Sequence, residues 1–226
     1  MTVSASHVRV NTGLLADAER RVLIAMAERL PRWLTSDQLS GLALAALGVT
    51  GLAFTLAARH PAFLWLAVAG LAVNWFGDSL DGTLARVRRT ERPRYGYYVD
   101  HVIDLVGTTC LLAGLAASPY MTSTVALVFL CAYLLVAAEV YLATHAGGVF
   151  RMAFLGVGPT ELRILLASGA IAVMWKPSVV VFGRAFLLFD VGGFLGTLGL
   201  LVALSWSAIA NGRRLAALEP PHTRRA

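Results

Sequence analysis

The chain is poor in charge and in cysteine. Charged residues make up 14% of the 226 residues and hydrophobic residues 58%, whereas about a quarter of a typical soluble domain is charged. This composition excludes both a soluble globular domain and a disordered chain. The two cysteines are too few for a disulfide framework. Lys176 is the only lysine among 19 basic residues, so arginines carry the net charge of +6.

Long apolar runs recur from about Leu39 to Ala210. A helix needs about 20 apolar residues to cross about 30 Å of hydrocarbon. The runs lack the alternation of barrel strands, and isolated backbone amides are disfavoured in lipid. We therefore predict an all-α integral membrane protein with six transmembrane helices. The predicted spans are residues 38–58, 62–86, 96–117, 122–145, 160–176 and 189–210.

An amphipathic helix is predicted ahead of the first span. Between Thr12 and Leu34, apolar residues fall on one side of a helix and charged residues mostly elsewhere, which is typical of a helix on the membrane surface. Pro31 is expected to end it, and the stretch Thr35–Asp37 to supply a cap for the next helix. The predicted segments are a tail with the surface helix (1–37), a six-helix membrane domain (38–212) and a short basic tail (213–226).

The arginines cluster in short segments between the apolar runs. If the N-terminus is cytoplasmic, only Arg59, Lys176 and Arg184 fall on the opposite side of the membrane. This asymmetry places both termini in the cytoplasm, in the inner membrane if the source is bacterial, with arginines facing lipid headgroups. No basic face with interleaved aromatic residues is present, so nucleic acid is not an expected partner.

Four aspartates occupy the predicted second and third spans, where lipid disfavours charge. Asp78 and Asp81 are three residues apart, and Asp100 and Asp104 are four apart, so each pair shares a helix face. Each costs about 2.5–3.5 kcal/mol at the bilayer centre, so a positive partner is required. Neighbouring arginines could be this positive partner, and so could the ion carried by a proton or sodium transporter. We favour one or two Mg²⁺ or Mn²⁺ ions, which prefer carboxylate ligands and bind phosphates.

The residues around these aspartates carry a longer pattern. It reads D-x2-D-G-x2-A-R, a spacer, and G-x3-D-x3-D, and it resembles the signature of the CDP-alcohol phosphatidyltransferase family. The eight positions are Asp78, Asp81, Gly82, Ala85, Arg86, Gly96, Asp100 and Asp104. The spacer from Val87 to Tyr95 is one residue longer than is usual in the family, so the family's nucleotide contacts in this loop do not carry over directly. The predicted six spans after a surface helix also resemble this family.

The resemblance implies an enzyme that cleaves a CDP-linked alcohol at its pyrophosphate. CMP is released, and the phosphoalcohol is joined to a hydroxyl of a lipid or polar alcohol acceptor. Asp78, Asp81 and Asp100 would then be ligands of Mg²⁺ or Mn²⁺, with two ions expected. Asp104 would complete the second ion site or accept the acceptor's proton. The active site would face the cytoplasm.

The same resemblance implies a nucleotide site beside the metals. Gly82, Ala85 and Gly96 would border the cytidine, because residues without bulk let a nucleotide approach the backbone. Tight helix packing is the alternative for Gly82 and Ala85. Arg86 would lie near the phosphates, or would serve only as an anchor at the membrane interface.

A narrower resemblance concerns His101, the segment Gly148–Arg151, Thr160 and Glu161. They are similar to residues of the choline and ethanolamine phosphotransferase branch, in which a histidine beside the third aspartate accepts the proton. His101 is therefore a candidate base, oriented by Glu161, and Asp104 is the other candidate. Alternatively, His101 only packs or binds a headgroup. We favour CDP-choline or CDP-ethanolamine as donor and diacylglycerol as acceptor; the alternative is CDP-diacylglycerol donating to a small polar alcohol.

Further residues each have two interpretations. Glu139 and His145 would line the alcohol pocket with Arg151, or pair with Arg151 as plain structure. Arg151 and Arg163 would clamp a lipid phosphate or anchor the interface. Three glycines of the last predicted span would pack within the monomer or form a homodimer contact. These are Gly192, Gly196 and Gly199.

Overall fold

The structure is a computed structural model that describes residues 16–147 and 159–219. In these ranges the chain forms helices and one short hairpin. The elements are α1 (Ala16–Arg29), α2 (Ser36–Leu56), α3 (Phe63–Val87), α4 (Pro93–Ala116), α5 (Ser123–Gly147), α6 (Pro159–Trp175), β1 (Ser178–Val181), β2 (Arg184–Leu187) and α7 (Leu188–Leu218).

Five of the helices, α2, α3, α4, α5 and α7, are long and apolar enough to cross a membrane. The chain is therefore an integral membrane protein, as predicted. The remaining predicted span corresponds to α6, which has 17 residues and falls short of the roughly 20 that a spanning helix needs. The predicted count of six spans is thus not confirmed. Helix α7 continues to Leu218, beyond the predicted end at residue 210.

Helix α1 lies within the segment that was predicted to form the surface helix. Its buried residues Leu23 and Ala27 pack against Leu80 and Leu84 of α3. Helix α2 begins with a capping box, in which Thr35 Oγ1 accepts from the Gln38 backbone and the Gln38 side chain accepts from the Thr35 backbone. The predicted cap is therefore confirmed, whereas the place of α1 on a membrane surface stays a prediction.

Glycines allow α2 to pack closely against both α3 and α4. A Cβ at Gly114 would collide with the backbone of Gly51, and a Cβ at Gly51 would collide with the carbonyl of Cys110. At Gly77 of α3, a Cβ would lie 2.6 Å from the carbonyl oxygen of Leu39. Such backbone contacts are typical of membrane helix packing. They fix α3 and α4, which carry the four aspartates, relative to α2.

Helices α5 and α7 form a second close pair. A Cβ at Gly196 would lie 2.8 Å from the ring of Phe129, so this glycine packs within the monomer. Gly192 and Gly199 have no other described atom within 4 Å of such a Cβ. The packing interpretation therefore holds for Gly196, and the homodimer stays a prediction.

A β-hairpin between α6 and α7 was not predicted. Strands β1 and β2 pair antiparallel, with Val181 opposite Arg184. The turn residues Phe182 and Gly183 have φ values of 49° and 77°. A two-residue turn with both φ values positive matches the twist of the flanking strands, and glycine adopts it without strain.

Candidate active site

The predicted acidic residues lie in the second half of α3 and the first half of α4. Asp81 is close enough to Asp78 on its own helix and to Asp100 on α4 for their charges to interact. Asp104 lies near Tyr133 and Tyr141 of α5. The structure therefore brings acids of the two predicted pairs together at one end of the bundle.

Helix α2 holds Asp81. The Ser40 hydroxyl donates to Asp81 Oδ2 at 2.5 Å, and the Ser36 hydroxyl donates to the Asp81 backbone carbonyl at 2.8 Å. The backbone N–H of Gly82 donates to the other carboxylate oxygen, Oδ1. Sequence reasoning missed both serines, because their partner lies more than 40 positions along the chain.

Asp78 is held from a different side, by α6. Arg163 Nη2 donates to Asp78 Oδ2 at 2.6 Å, and the two side chains are only 14% and 15% exposed. Arg163 Nε donates to Asn74 Oδ1 at 2.7 Å, and Asn74 Nδ2 donates to the Ala43 carbonyl at 3.0 Å. Neither interpretation of Arg163 from the sequence, a phosphate clamp or an interface anchor, included this ion pair.

His101 sits in an aromatic setting between α4 and α5. Its Nδ1 lies 2.6 Å from the Tyr97 carbonyl oxygen, and its ring is 4.1 Å from the Tyr97 ring and 5.0 Å from the Tyr141 ring, measured between centroids. A carbonyl can only accept a hydrogen bond, so Nδ1 carries the proton in the neutral ring. The lone pair is then on Nε2, which is the atom that can act as a base.

Gly82 and Gly96 of the signature do not make the close contacts between helices that Gly51, Gly77 and Gly114 make. A Cβ at Gly82 would approach only the guanidinium of Arg86 among the described atoms, at 3.6 Å, and one at Gly96 would meet nothing within 4 Å. Tight helix packing therefore does not explain these two glycines within residues 16–147 and 159–219. Ala85 is half-buried, and Arg86 Nη2 donates to Thr83 Oγ1 at 3.1 Å.

Of the predicted alcohol pocket, Glu139 and His145 lie in the described residues. Glu139 accepts hydrogen bonds from Ser207 and Asn211 of α7, at 2.8 and 2.9 Å. His145 is exposed near the end of α5, and Arg151 lies outside the described residues. Glu161 belongs to the first turn of α6, but its side chain also lies outside the described part. Its predicted role of orienting His101 therefore stays a prediction.

The loop between α3 and α4 is tied to the chain before α2. The guanidinium of Arg88 donates to the backbone carbonyls of Leu30, Pro31 and Leu34. At its other end Arg92 forms an ion pair with Asp37, and hydrogen bonding to that carboxylate raises the pKa of Arg92. The spacer is thus anchored at both ends despite its extra residue.

Helix α1 reaches the site through one carboxylate that sequence reasoning missed. Glu19 Oε1 accepts from Trp75 Nε1 at 2.7 Å, from Thr160 Oγ1 at 2.8 Å and from Ser79 Oγ at 3.3 Å. Trp75 and Ser79 flank Asp78 on α3, and Thr160 lies one turn before Arg163 on α6. Glu19 therefore joins α1 to the two helices that carry the ion pair.

The chemistry of the donor set suits a hard divalent ion, since aspartate oxygens are preferred ligands of Mg²⁺ and Mn²⁺. Among residues 16–147 and 159–219, however, no group of three or more His, Cys, Asp or Glu side chains is gathered closely enough to hold an ion. Asp78 and Asp81 bind protein partners on α6 and α2 instead. Sharing an ion would therefore require the side chains of Asp78 and Asp81 to leave these partners.

Comparisons with known proteins were made for sequence and for fold. A sequence model of the CDP-alcohol phosphatidyltransferase family matches residues 33–208. Phosphatidylinositol phosphate synthase PgsA1 of Mycobacterium tuberculosis, solved with CDP-DAG bound, has a similar fold, with a TM-score of 0.59 and 20% identity. The match covers 91% of this chain and 99% of that one. No curated protein sequence matches the chain significantly.

Proposed function

The chain belongs to the CDP-alcohol phosphatidyltransferase family, and from that premise we propose that it transfers a phosphatidyl group from CDP-diacylglycerol to a small polar alcohol. It is a transferase of phospholipid biosynthesis, and its family is generally dependent on divalent metals. The single observation that carries the proposal is that the family match spans the eight-residue signature, whose acids from α3 and α4 lie within charge range of one another.

The choice of donor departs from the one that we favoured on sequence alone. PgsA1, which shares the fold over nearly its whole length, was solved with CDP-DAG bound. Most of the residues that pointed to the choline and ethanolamine branch add no support. Residues 148–151 lie outside the described part of the chain. Thr160 binds Glu19, and the side chain of Glu161 is outside the described residues. CDP-diacylglycerol is therefore the better supported donor.

In the proposed reaction the acceptor hydroxyl attacks the phosphorus that carries the diacylglycerol. A new P–O bond forms to the acceptor, the P–O bond to CMP breaks, and CMP leaves with the bonding electrons. The hydroxyl proton passes to a base, for which His101 Nε2 is our first choice because the Tyr97 carbonyl holds Nδ1–H. Asp104, near Tyr133 and Tyr141 of α5, is the other candidate.

We assign metal binding to Asp78, Asp81 and Asp100, with Asp104 as a further ligand if it is not the base. Bound there, Mg²⁺ or Mn²⁺ would neutralise charge that develops on the leaving CMP phosphate, and two ions are expected. The open faces of Gly82 and Gly96 give a cytidine nucleotide access to backbone that a side chain would block. Arg86, four residues after Gly82, supplies a cation for the phosphates.

The test is CMP release by purified protein with Mg²⁺ or Mn²⁺. CDP-diacylglycerol, CDP-choline and CDP-ethanolamine are each supplied with and without acceptors. We expect CMP from CDP-diacylglycerol with a polar alcohol, and loss of release in Asp81→Asn and Asp100→Asn. Asp190→Asn is the matched control, since Asp190 binds Thr122 between α4 and α5. Equal loss in all three variants would contradict the assignment.

Headgroup transfer to diacylglycerol is the second candidate, and the histidine beside Asp100 favours it. CMP release from CDP-choline or CDP-ethanolamine with diacylglycerol, and none from CDP-diacylglycerol, would select it. Ion transport without CMP release from any donor would instead favour a transporter. We further propose that the site and both termini face the cytoplasm, which cysteine labelling from either side of the membrane would test.

A further inference from the structure

Asp78, an expected metal ligand, is bound to an arginine of another helix. We propose that Arg163 is a built-in counter-cation, which neutralises Asp78 in the metal-free enzyme and releases it when a divalent ion binds. The inference rests on the proposed function, because it takes Asp78 as a ligand. Its consequence is that Arg163 lowers the affinity of the enzyme for the metal.

Arg163 is held towards Asp78 by a chain of hydrogen bonds. Its Nε donates to Asn74 Oδ1 at 2.7 Å, and its Nη2 donates to Asp78 Oδ2 at 2.6 Å. Asn74 is buried and is itself fixed by donation to the Ala43 carbonyl of α2 at 3.0 Å. Two donors of one planar guanidinium are therefore oriented by residues one turn apart on α3. A surface arginine that only sampled Asp78 would not need the buried amide.

The two acids of α3 are held by partners on different helices. Asp78 binds Arg163 of α6, whereas Asp81 binds Ser40 of α2. This arrangement agrees with the finding that no three-acid cluster is assembled in the described parts of the chain. An ion that uses both carboxylates has to draw Asp78 away from α6. The Asp78–Arg163 bond is then lost or weakened during metal binding.

The charges decide whether removing Arg163 raises or lowers the affinity for the metal. Arg163 and a divalent ion compete for the same carboxylate, and they repel each other at the short distance that sharing would impose. Removing the guanidinium should therefore tighten metal binding. If Arg163 instead oriented Asp78 as a ligand and stayed bound to it, its removal would weaken metal binding, by roughly 10–100-fold for such supporting contacts. The two roles predict opposite results.

The experiment is a Mn²⁺ titration of the purified full-length chain without substrate, followed by the electron paramagnetic resonance signal of free Mn²⁺. We expect Arg163→Gln to bind Mn²⁺ about tenfold more tightly than wild type, equivalent to about 1.4 kcal/mol. Arg88→Gln is the matched control, because it removes the same charge near the same end of the bundle. Arg88 binds backbone carbonyls and not Asp78. We expect that control to stay within about twofold of wild type.

Unchanged or weaker binding in Arg163→Gln, with wild type binding Mn²⁺ and releasing CMP, overturns the counter-cation and leaves the proposed function standing. No Mn²⁺ binding by wild type overturns the metal assignment and this inference with it. If Arg163→Gln does not fold, Arg163→Lys decides, since lysine keeps the charge but cannot be held through Nε by Asn74. A gain of a few-fold supports the inference, and no gain overturns it.

Discussion

Glu19 connects α1 to α3 and α6 through one carboxylate oxygen, beside the apolar packing of α1 on α3, and Glu19→Ala removes this polar connection alone. Glu19 Oε1 accepts from Trp75, Ser79 and Thr160, at 2.7, 3.3 and 2.8 Å. Hydrogen bonds to charged groups contribute about 1.5–3 kcal/mol each, and bonds that share one acceptor are not additive. We therefore expect Glu19→Ala to lower the free energy of unfolding by about 2–3 kcal/mol.

For a domain of this size about 1 kcal/mol shifts the Tm by about 2–4 °C, so the expected fall is about 4–12 °C. Glu19→Gln retains an acceptor oxygen but loses the charge, and should lose about half as much. The assay is thermal unfolding of the purified protein in detergent. Glu28→Ala is the control, because Glu28 is an exposed acid on the same helix. A Glu19→Ala Tm equal to that of Glu28→Ala would refute the reasoning.

Three further predictions use the same preparation. Gly114→Ala should lower the Tm, because its Cβ would meet the Gly51 backbone. Gly48→Ala is the control and should leave the Tm unchanged, because a Cβ there has no described atom within 4 Å. Equal Tm values for the two variants would contradict the α2–α4 packing. Gly82→Leu should keep the wild-type Tm but raise the KM for the CDP-linked donor at least about tenfold, because it fills an open face; an unchanged KM would exclude nucleotide binding there. His101→Ala should lower kcat by about 10²–10⁴-fold and leave the Mn²⁺ affinity unchanged. Asp104→Asn should alter the Mn²⁺ affinity. Near-full turnover in His101→Ala would show that His101 is not the base.

Much of the bundle could be predicted because an apolar run of spanning length predicts a membrane helix without information from the rest of the chain. The bilayer sets the length of a spanning helix, and the five long helices begin and end near the predicted limits. The exception is the end of α7, where Arg213 and Arg214 stopped the predicted span although the helix continues to Leu218. Hydropathy reports where a helix leaves lipid, and a helix can extend beyond that point.

The hairpin was missed for a related reason. Its strands, Ser178–Val181 and Arg184–Leu187, are four residues each and follow an apolar helix directly. At four residues, each strand is at the lower limit of the length over which alternation indicates a strand. The positive φ of Phe182 had no sequence signal at all, because glycine or asparagine is the usual residue there.

Within the site, local spacing predicted the acids but not their partners. The i, i+3 and i, i+4 intervals place each aspartate pair on a face without knowledge of other helices. The partners of Asp78 and Asp81 come from α6 and α2, at separations of 85 and 41 residues. Only the packing of the helices brings these groups together. The same holds for Thr160 and Glu19, which are 141 residues apart.

The most direct test of the whole account is the release of CMP from CDP-diacylglycerol by the purified enzyme, measured before and after chelation of divalent metal. The account predicts release with Mn²⁺ and a polar alcohol acceptor, its loss with chelator, its return when Mn²⁺ is restored, and none from Asp100→Asn under any of these conditions. Release that continues in the chelator, or in Asp100→Asn with native thermal stability, would contradict the assignment of the α3 and α4 acids as the catalytic centre.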